Sequence, residues 1–233
     1  MEVQDLSFDR RAALDGMATM WPLMIPGIPV GVVLGLAIRE EGLPLLAGWS
    51  TSWIIFAGAS QLAAINLIAQ GASSLVIIAT VIAINARHII YSAALRGRFA
   101  PYPTWIRATV PYLLIDQQFA AAETAPELVD PTPRYRLWHF LGGGALLWTV
   151  WQVAVALGIA IGDFVREEWQ LIFSVPILFL GLMVLSLRSK PTVVAAVVAG
   201  AVAVFARGLP QGSGLLLAIF LGAAAGVIAE GRR

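Results

Sequence analysis

The sequence predicts an all-α fold, a polytopic transmembrane helical bundle of about seven to eight spans with a broken first helix. Three observations predict it. Of 233 residues, 59% are hydrophobic and only 12% charged, about half the charged share of an ordinary soluble domain. The apolar residues gather into runs close to the ~20 residues that cross a hydrocarbon core. Short turns rich in charge, proline or glycine separate those runs.

The first run covers residues 17–38 and stops at Arg39-Glu40-Glu41. The second, 43–70, is long enough to tilt or break, and the third, after Gly71, covers 72–95. Arg96, Arg98 and Arg107 follow, with Pro101 and Pro103 between them. The stretch 105–122 is ambiguous, because Pro111, Asp116, Gln117 and Gln118 interrupt it. A polar connection leads to further runs at 137–161, 171–187, 192–206 and 214–229. The chain therefore reads as one membrane domain, 1–233, with an N-terminal half (17–122) and a C-terminal half (137–229) that could be inverted repeats.

Cytoplasmic loops collect Lys and Arg. If 105–122 spans, eight spans spread the basic residues almost evenly between the two sides. If it is re-entrant, seven spans set Arg39, Arg96, Arg98, Arg107, Arg134, Arg136, Arg188, Lys190, Arg232 and Arg233 against Arg10, Arg11, Arg166 and Arg207. The second reading places the C-terminus inside. Trp21, Trp105, Trp138 and Trp169 fall near expected span ends, where interfacial anchors belong. Gly27-Gly31-Gly35, Gly158-Gly162 and Gly222-Gly226 repeat the small-xxx-small spacing of close helix packing in lipid.

Composition also excludes. A net charge of +1 supplies no basic field for nucleic acid. With no cysteine and only His88 and His139, the chain carries no metal-ligand spacing, and no cofactor is expected. Glu2, Asp5 and Asp9 make the N-terminus unlike a secretory signal. Leu6, Phe8 and Leu14 interleave with Asp9, Arg10 and Arg11, as in a segment lying at the interface or in a solvated leader turn.

Polar residues inside apolar runs are the candidates for function, since a central charge costs about 2.5–3.5 kcal/mol on insertion scales. In Pro26-Gly27-Ile28-Pro29-Val30-Gly31, Pro29 should break or kink the first span. Transporters use such half-helix ends at mid-membrane to hold a substrate carboxylate. A plain proline kink is the simpler account. In the second run, Gly58, Ser60 and Gln61 combine close backbone approach with neutral donors and acceptors, fit for a cavity wall or for interhelical bonding. In the third, Thr80, Arg87 and Tyr91 share one side at 100° per residue, with Asn85, His88 and Ser92 on the adjacent arc. Arg87 either snorkels to the headgroups or stays buried, pairing with a carboxylate and binding a substrate carboxyl group. Asp116 is the acid available within an apolar run, as partner of Arg87 or as a proton-coupling group, and His88 could relay a proton.

These residues, in this order, resemble the AzlC family of branched-chain amino acid exporters. The Pro-Gly-rich first span, Phe56-Ala57-Gly58-Ala59-Ser60-Gln61, Asn85-Ala86-Arg87-His88 with Tyr91-Ser92, and the Asp116 segment carry the resemblance. The second half fits more loosely, through 176–187 and Leu209-Pro210 with Gly212 to Gly226. The resemblance implies secondary export of leucine, isoleucine, valine or methionine across a bacterial inner membrane, driven by protons. It also implies a small, separate membrane subunit of the AzlD type. One departure is Gln117, where the family carries an acidic residue after the aspartate. Coupling would then rest on Asp116, with His88 and Gln117 beside it. Substrate binding would fall to Pro26, Gly27, Gly31, Gly58, Ser60, Gln61, Asn85, Arg87 and Tyr91.

Three other readings stay open on the residues themselves: a channel-like pore, a non-transporting scaffold of a membrane complex, and an enzyme built on Ser60 and His88. Gln61 stands where a serine hydrolase elbow would have glycine, and no base–nucleophile set is evident. The number of copies in an assembly is open too, a homo-oligomer included.

Overall fold

A computed structural model describes residues 6–123, 130, 132–164, 180, 183, 187, 189–209 and 213–231. Apart from its three described positions, the expected run at 171–187 lies outside those residues, as do Trp169, Arg166 and Arg188. Eleven α-helices are described: α1 (Arg10–Met24), α2 (Gly27–Glu40), α3 (Leu45–Ile54), α4 (Gly58–Ala69), α5 (Ser74–Asn85), α6 (Arg87–Phe99), α7 (Thr104–Thr109), α8 (Asp116–Glu123), α9 (Pro133–Ile161), α10 (Lys190–Phe205) and α11 (Ser213–Glu230). By length and composition, α9 and α11 can each cross a membrane. The pairs α1–α2, bent by 66°, and α5–α6, bent by 41°, qualify if each is one span. The protein is an all-helical, multi-pass membrane protein.

The first helix starts at Arg10, seven residues before the expected span. The reason is a cap: the Asp9 carboxylate accepts the Ala12 N–H at 3.0 Å, satisfying a donor that the helix itself cannot. From there Ala12, Ala13, Gly16, Met20 and Met24 bury one stripe. The charges Arg10, Arg11 and Asp15 hide this helix from a hydropathy window. Trp21 consequently sits well inside the α1–α2 pair rather than at its end. The preceding residues dock rather than lie free: Trp138 donates to the Leu6 carbonyl at 3.1 Å, and Phe8 meets Trp138 edge-on.

The expected break in the first span is present, at Ile25-Pro26 rather than at Pro29. Pro29 sits in the first turn of α2, where its missing N–H would have had no intrahelical partner. The second run also breaks, between α3 and α4, and Phe56 there has φ of +40°. That left-handed backbone is disfavoured for a bulky L-residue. The third run, expected continuous, bends at Ala86. The 105–122 stretch folds as α7, a 3₁₀ turn (Val110–Leu113) and α8, none of which has the length of a span.

Helix α9 is the frame. Its 29 residues reach roughly 43 Å at 1.5 Å per residue. Helix α2 lies along it in a fixed register, Gly31 against Ala154, Gly35 against Val155 and Gly158, and Arg39 against Gly162. Helix α1 crosses its first half, where Gly16 meets the His139 carbonyl and Gly142 meets that of Ala13. The glycine stripe is thus a contact surface on which backbones touch. Helices α10 and α11 form a second, antiparallel packing unit, with Gly222 on Ala199 and Gly226 on Ala195. Exposed Leu75, Ile78 and Ile82 line one side of α5, a face suited to lipid.

Gly35→Val should push α2 off α9, costing about 1–3 kcal/mol by overpacking, and lower the melting temperature in detergent. Gly97→Val, where a Cβ meets no described atom within 4 Å, should leave it unchanged.

Candidate functional site

Four interruptions of helix come together in this fold. Met24 and Val30 flank the first, Phe56 marks the second and Ile115 the fourth, and all belong to one buried cluster with Leu147 and Trp151 of α9. The third, at Ala86, joins them through polar side chains.

Asn85 ends α5, and its Oδ1 accepts a hydrogen bond from Ser60 Oγ at 2.9 Å. Ser60, fully buried in the first turn of α4, also lies 3.1 Å from the Ala57 carbonyl. Two residues beyond Asn85, Arg87 opens α6 and donates from Nη1 to Asp116 Oδ2 at 2.8 Å. Tyr91 donates to the other carboxylate oxygen at 2.9 Å, and its ring stacks on Phe119 of α8 with centroids 4.6 Å apart. Asp116 is therefore held at both oxygens from α6, while its own place at the first turn of α8 puts its charge at a positive helix end. Arg87 lies 13 residues into the α5–α6 pair, about 20 Å along the axis and so deep within a ~30 Å hydrocarbon layer. The carboxylate is about half-exposed within the protein, so the ion pair borders open space rather than being sealed in.

Around the same bend, three buried polar atoms find no hydrogen-bond partner among the described residues: Thr80 Oγ1, Arg87 Nε and His88 Nε2. Native structures leave few such atoms unsatisfied. Arg87 in particular spends one edge of its guanidinium on Asp116 and keeps Nε free. His88 lies beside Tyr91, ring centroids 6.0 Å apart. Gln117 is half-buried next to Asp116, and Gln118 turns inward to donate to the Phe140 carbonyl at 2.6 Å.

The other expected residues occupy packing positions close by. Gln61 is fully buried between α3 and α9, donating to Thr51 Oγ1 at 3.1 Å and accepting from Trp151 Nε1 at 3.3 Å. A Cβ on Gly58 would lie 3.0 Å from the Trp151 ring and 3.7 Å from Val30, which ties the second break to the first. Gly31 abuts Ala154, Gly27 is buried near Met24, and Pro26 is exposed at the start of α2. Ser60 bonds to Asn85 rather than to His88, and no group of three potential metal ligands occurs among the described residues.

Sequence reasoning missed the side chains that hold the second break. Tyr112 donates to the Trp53 carbonyl, accepts from Trp148 Nε1 at 2.9 Å and stacks on Phe56. Gln152 Nε2 donates to the Ser52 carbonyl at 3.2 Å. A glutamine inside the apolar α9 was the available signal. A second polar cluster was also missed. Tyr135 donates to Asp15 at 2.7 Å, and His139 lies 3.2 Å from Thr19, both pairs 120 residues apart in sequence.

Replacing Gln61 by Leu should strand the Trp151 N–H and cost about 1–3 kcal/mol. Adding Trp151→Phe should recover part of that loss, read as melting temperature in detergent.

The AzlC protein family model matches residues 22–165, more than half of the chain and all of the site just described. The inner membrane protein YgaZ of Escherichia coli strain K12 is 28% identical over 197 residues, covering 82% of this chain and 80% of that protein. An uncharacterized membrane protein of Archaeoglobus fulgidus is 33% identical over 192 residues, covering 81% of each. No solved structure matches. The match runs through the broken first span, the Ser60–Asn85 pair and the Arg87–Asp116 pair; the chain is a multi-pass inner-membrane protein and belongs to the AzlC family.

Proposed function

We propose that the chain is a secondary transporter that exports leucine, isoleucine, valine or methionine across the inner membrane, with protons as the coupling ion. The family assignment supports the amino acid class and a small AzlD-type partner subunit. The observation that carries the reading is Asp116, shared between Arg87 and Tyr91 at mid-span with Arg87 Nε unspent.

That arrangement couples two anions to one cation. A substrate carboxylate needs a bidentate donor, which the planar guanidinium supplies. The substrate carboxylate takes the unspent edge of Arg87 while its ammonium group meets the ionised Asp116. A proton on Asp116 removes that charge and releases the substrate, so proton and amino acid occupy the site in turn, as proton-driven export requires. Tyr91 holds the carboxylate in place in both states, because a phenol donates to a carboxylate and can equally accept from a protonated acid. The branched side chain would lie on the apolar surface between the first and second breaks. The topology we favour has seven spans, with 104–123 re-entrant between α6 and α9 and the C-terminus inside.

The test is counterflow in proteoliposomes with an AzlD-type subunit present, labelled leucine outside and unlabelled leucine within. Transient accumulation with leucine and none with lysine is expected. Asp116→Asn should abolish transport driven by a proton gradient while sparing this exchange; equal loss of both, or of neither, would remove the coupling role. Arg87→Gln should raise the KM for leucine by about 10- to 100-fold, the worth of a charged hydrogen bond.

A further inference from the structure

A cavity of about 260 Å³ opens between α6 and the α7–3₁₀ segment, and neither Arg87, Tyr91 nor Asp116 lines it. Its floor is apolar, formed by Leu95, Phe99, Val110, Leu114 and Phe140. Its polar lining is Ser92, Arg96 and Arg107, two cations and a hydroxyl with no carboxylate. Arg96 makes no ion pair among the described residues, and Arg107 spends one nitrogen on Thr104 Oγ1 at 3.2 Å. Neither charge is neutralised by a described residue.

The depth of the cavity is fixed by α6. Arg96 lies nine residues beyond Arg87, about 13 Å farther along the axis, which brings it from mid-span to headgroup level. Trp105, 67% exposed on α7, stands at the same end, as aromatic residues do at the membrane interface. Exposed Ile89 and Ile90 on α6 continue the apolar wall towards the bilayer centre.

We infer that this cavity binds an anionic phospholipid, its phosphate between Arg96 and Arg107 and the upper part of one acyl chain on the Leu95–Phe140 floor. Charge decides the occupant. A zwitterionic amino acid would bring an ammonium group against two arginines with no carboxylate to receive it. A zwitterionic lipid has the same mismatch. A net anionic amphiphile satisfies both the rim and the floor, and basic pockets between helices are where such headgroups are held. The site is separate from the transport residues and stands whether or not the proposed transport reaction is correct.

The test follows the melting temperature of delipidated protein in a neutral detergent during four titrations: phosphatidylglycerol, phosphatidylcholine with the same acyl chains, inorganic phosphate, and leucine. Phosphatidylglycerol should raise it at the lowest concentration. Each arginine near a surface contributes about fivefold in affinity, so Arg96→Gln with Arg107→Gln should weaken the effect about 25-fold. The paired lysine variants should retain most of it, and since both side chains are exposed the starting melting temperature should not move. Equal shifts with phosphatidylcholine would reduce the cavity to an apolar groove. A shift with inorganic phosphate alone would make it a free-anion site, and one with leucine that needs both arginines would make it an amino acid site. Any of these, no shift at all, or a glutamine pair that still responds would overturn the inference.

Discussion

Every helix interruption in a lipid environment frees backbone groups that water cannot reach, and satisfying them is the constraint on which this structure depends. The protein answers it by bringing its interruptions together. The carbonyls at the end of α3 are taken by Gln152 and Tyr112, and Asn85, at the bend of the third run, is bonded by Ser60 from the start of α4. Side chains from one interruption thus serve another. The price of the second break is offset in this way, and the interruptions together form a layer where polar groups gather and helix is interrupted. That is the same layer in which Arg87 and Asp116 sit.

The long unbroken α9 makes this possible. Glycine contacts with α1 and α2 bring backbones close enough for Trp151 and Gln152 to reach the second break from behind. Phe56 illustrates the dependence. Its left-handed backbone costs on the order of 1–3 kcal/mol, and it persists because the ring is buried and stacked on Tyr112. A glycine would relax the backbone but leave the cluster between the breaks unfilled.

Much of this was legible in the sequence wherever a residue is costly in its setting. Proline and glycine in the first span marked a break, although Pro29 proved to be compatible with the first turn of α2 and the chain parts three residues earlier. Arg87 and Asp116 stood out because charges are rare in apolar runs, and they are paired. The small-residue spacing identified the face of α2 that meets α9. What stayed hidden was tertiary. The length of the second run allowed a break, but Ile55-Phe56-Ala57 contains neither proline nor glycine to place it, and Tyr112 and Gln152 hold it from afar. Asp15, paired with Tyr135 across 120 residues, lay in a helix that hydropathy did not recognise, because its cap and its charges come before its apolar face.

The position of α9 in the chain has a consequence for biogenesis. Everything that packs against it from the first half, α1 through α8, leaves the ribosome earlier. Until residue 161 has emerged, those broken segments lack the scaffold of α9 and the partners that its Trp151 and Gln152 supply. The nascent first half must therefore be sheltered beside the insertion machinery, and synthesis of α9 is the moment at which it can be released into the bilayer as a folded unit.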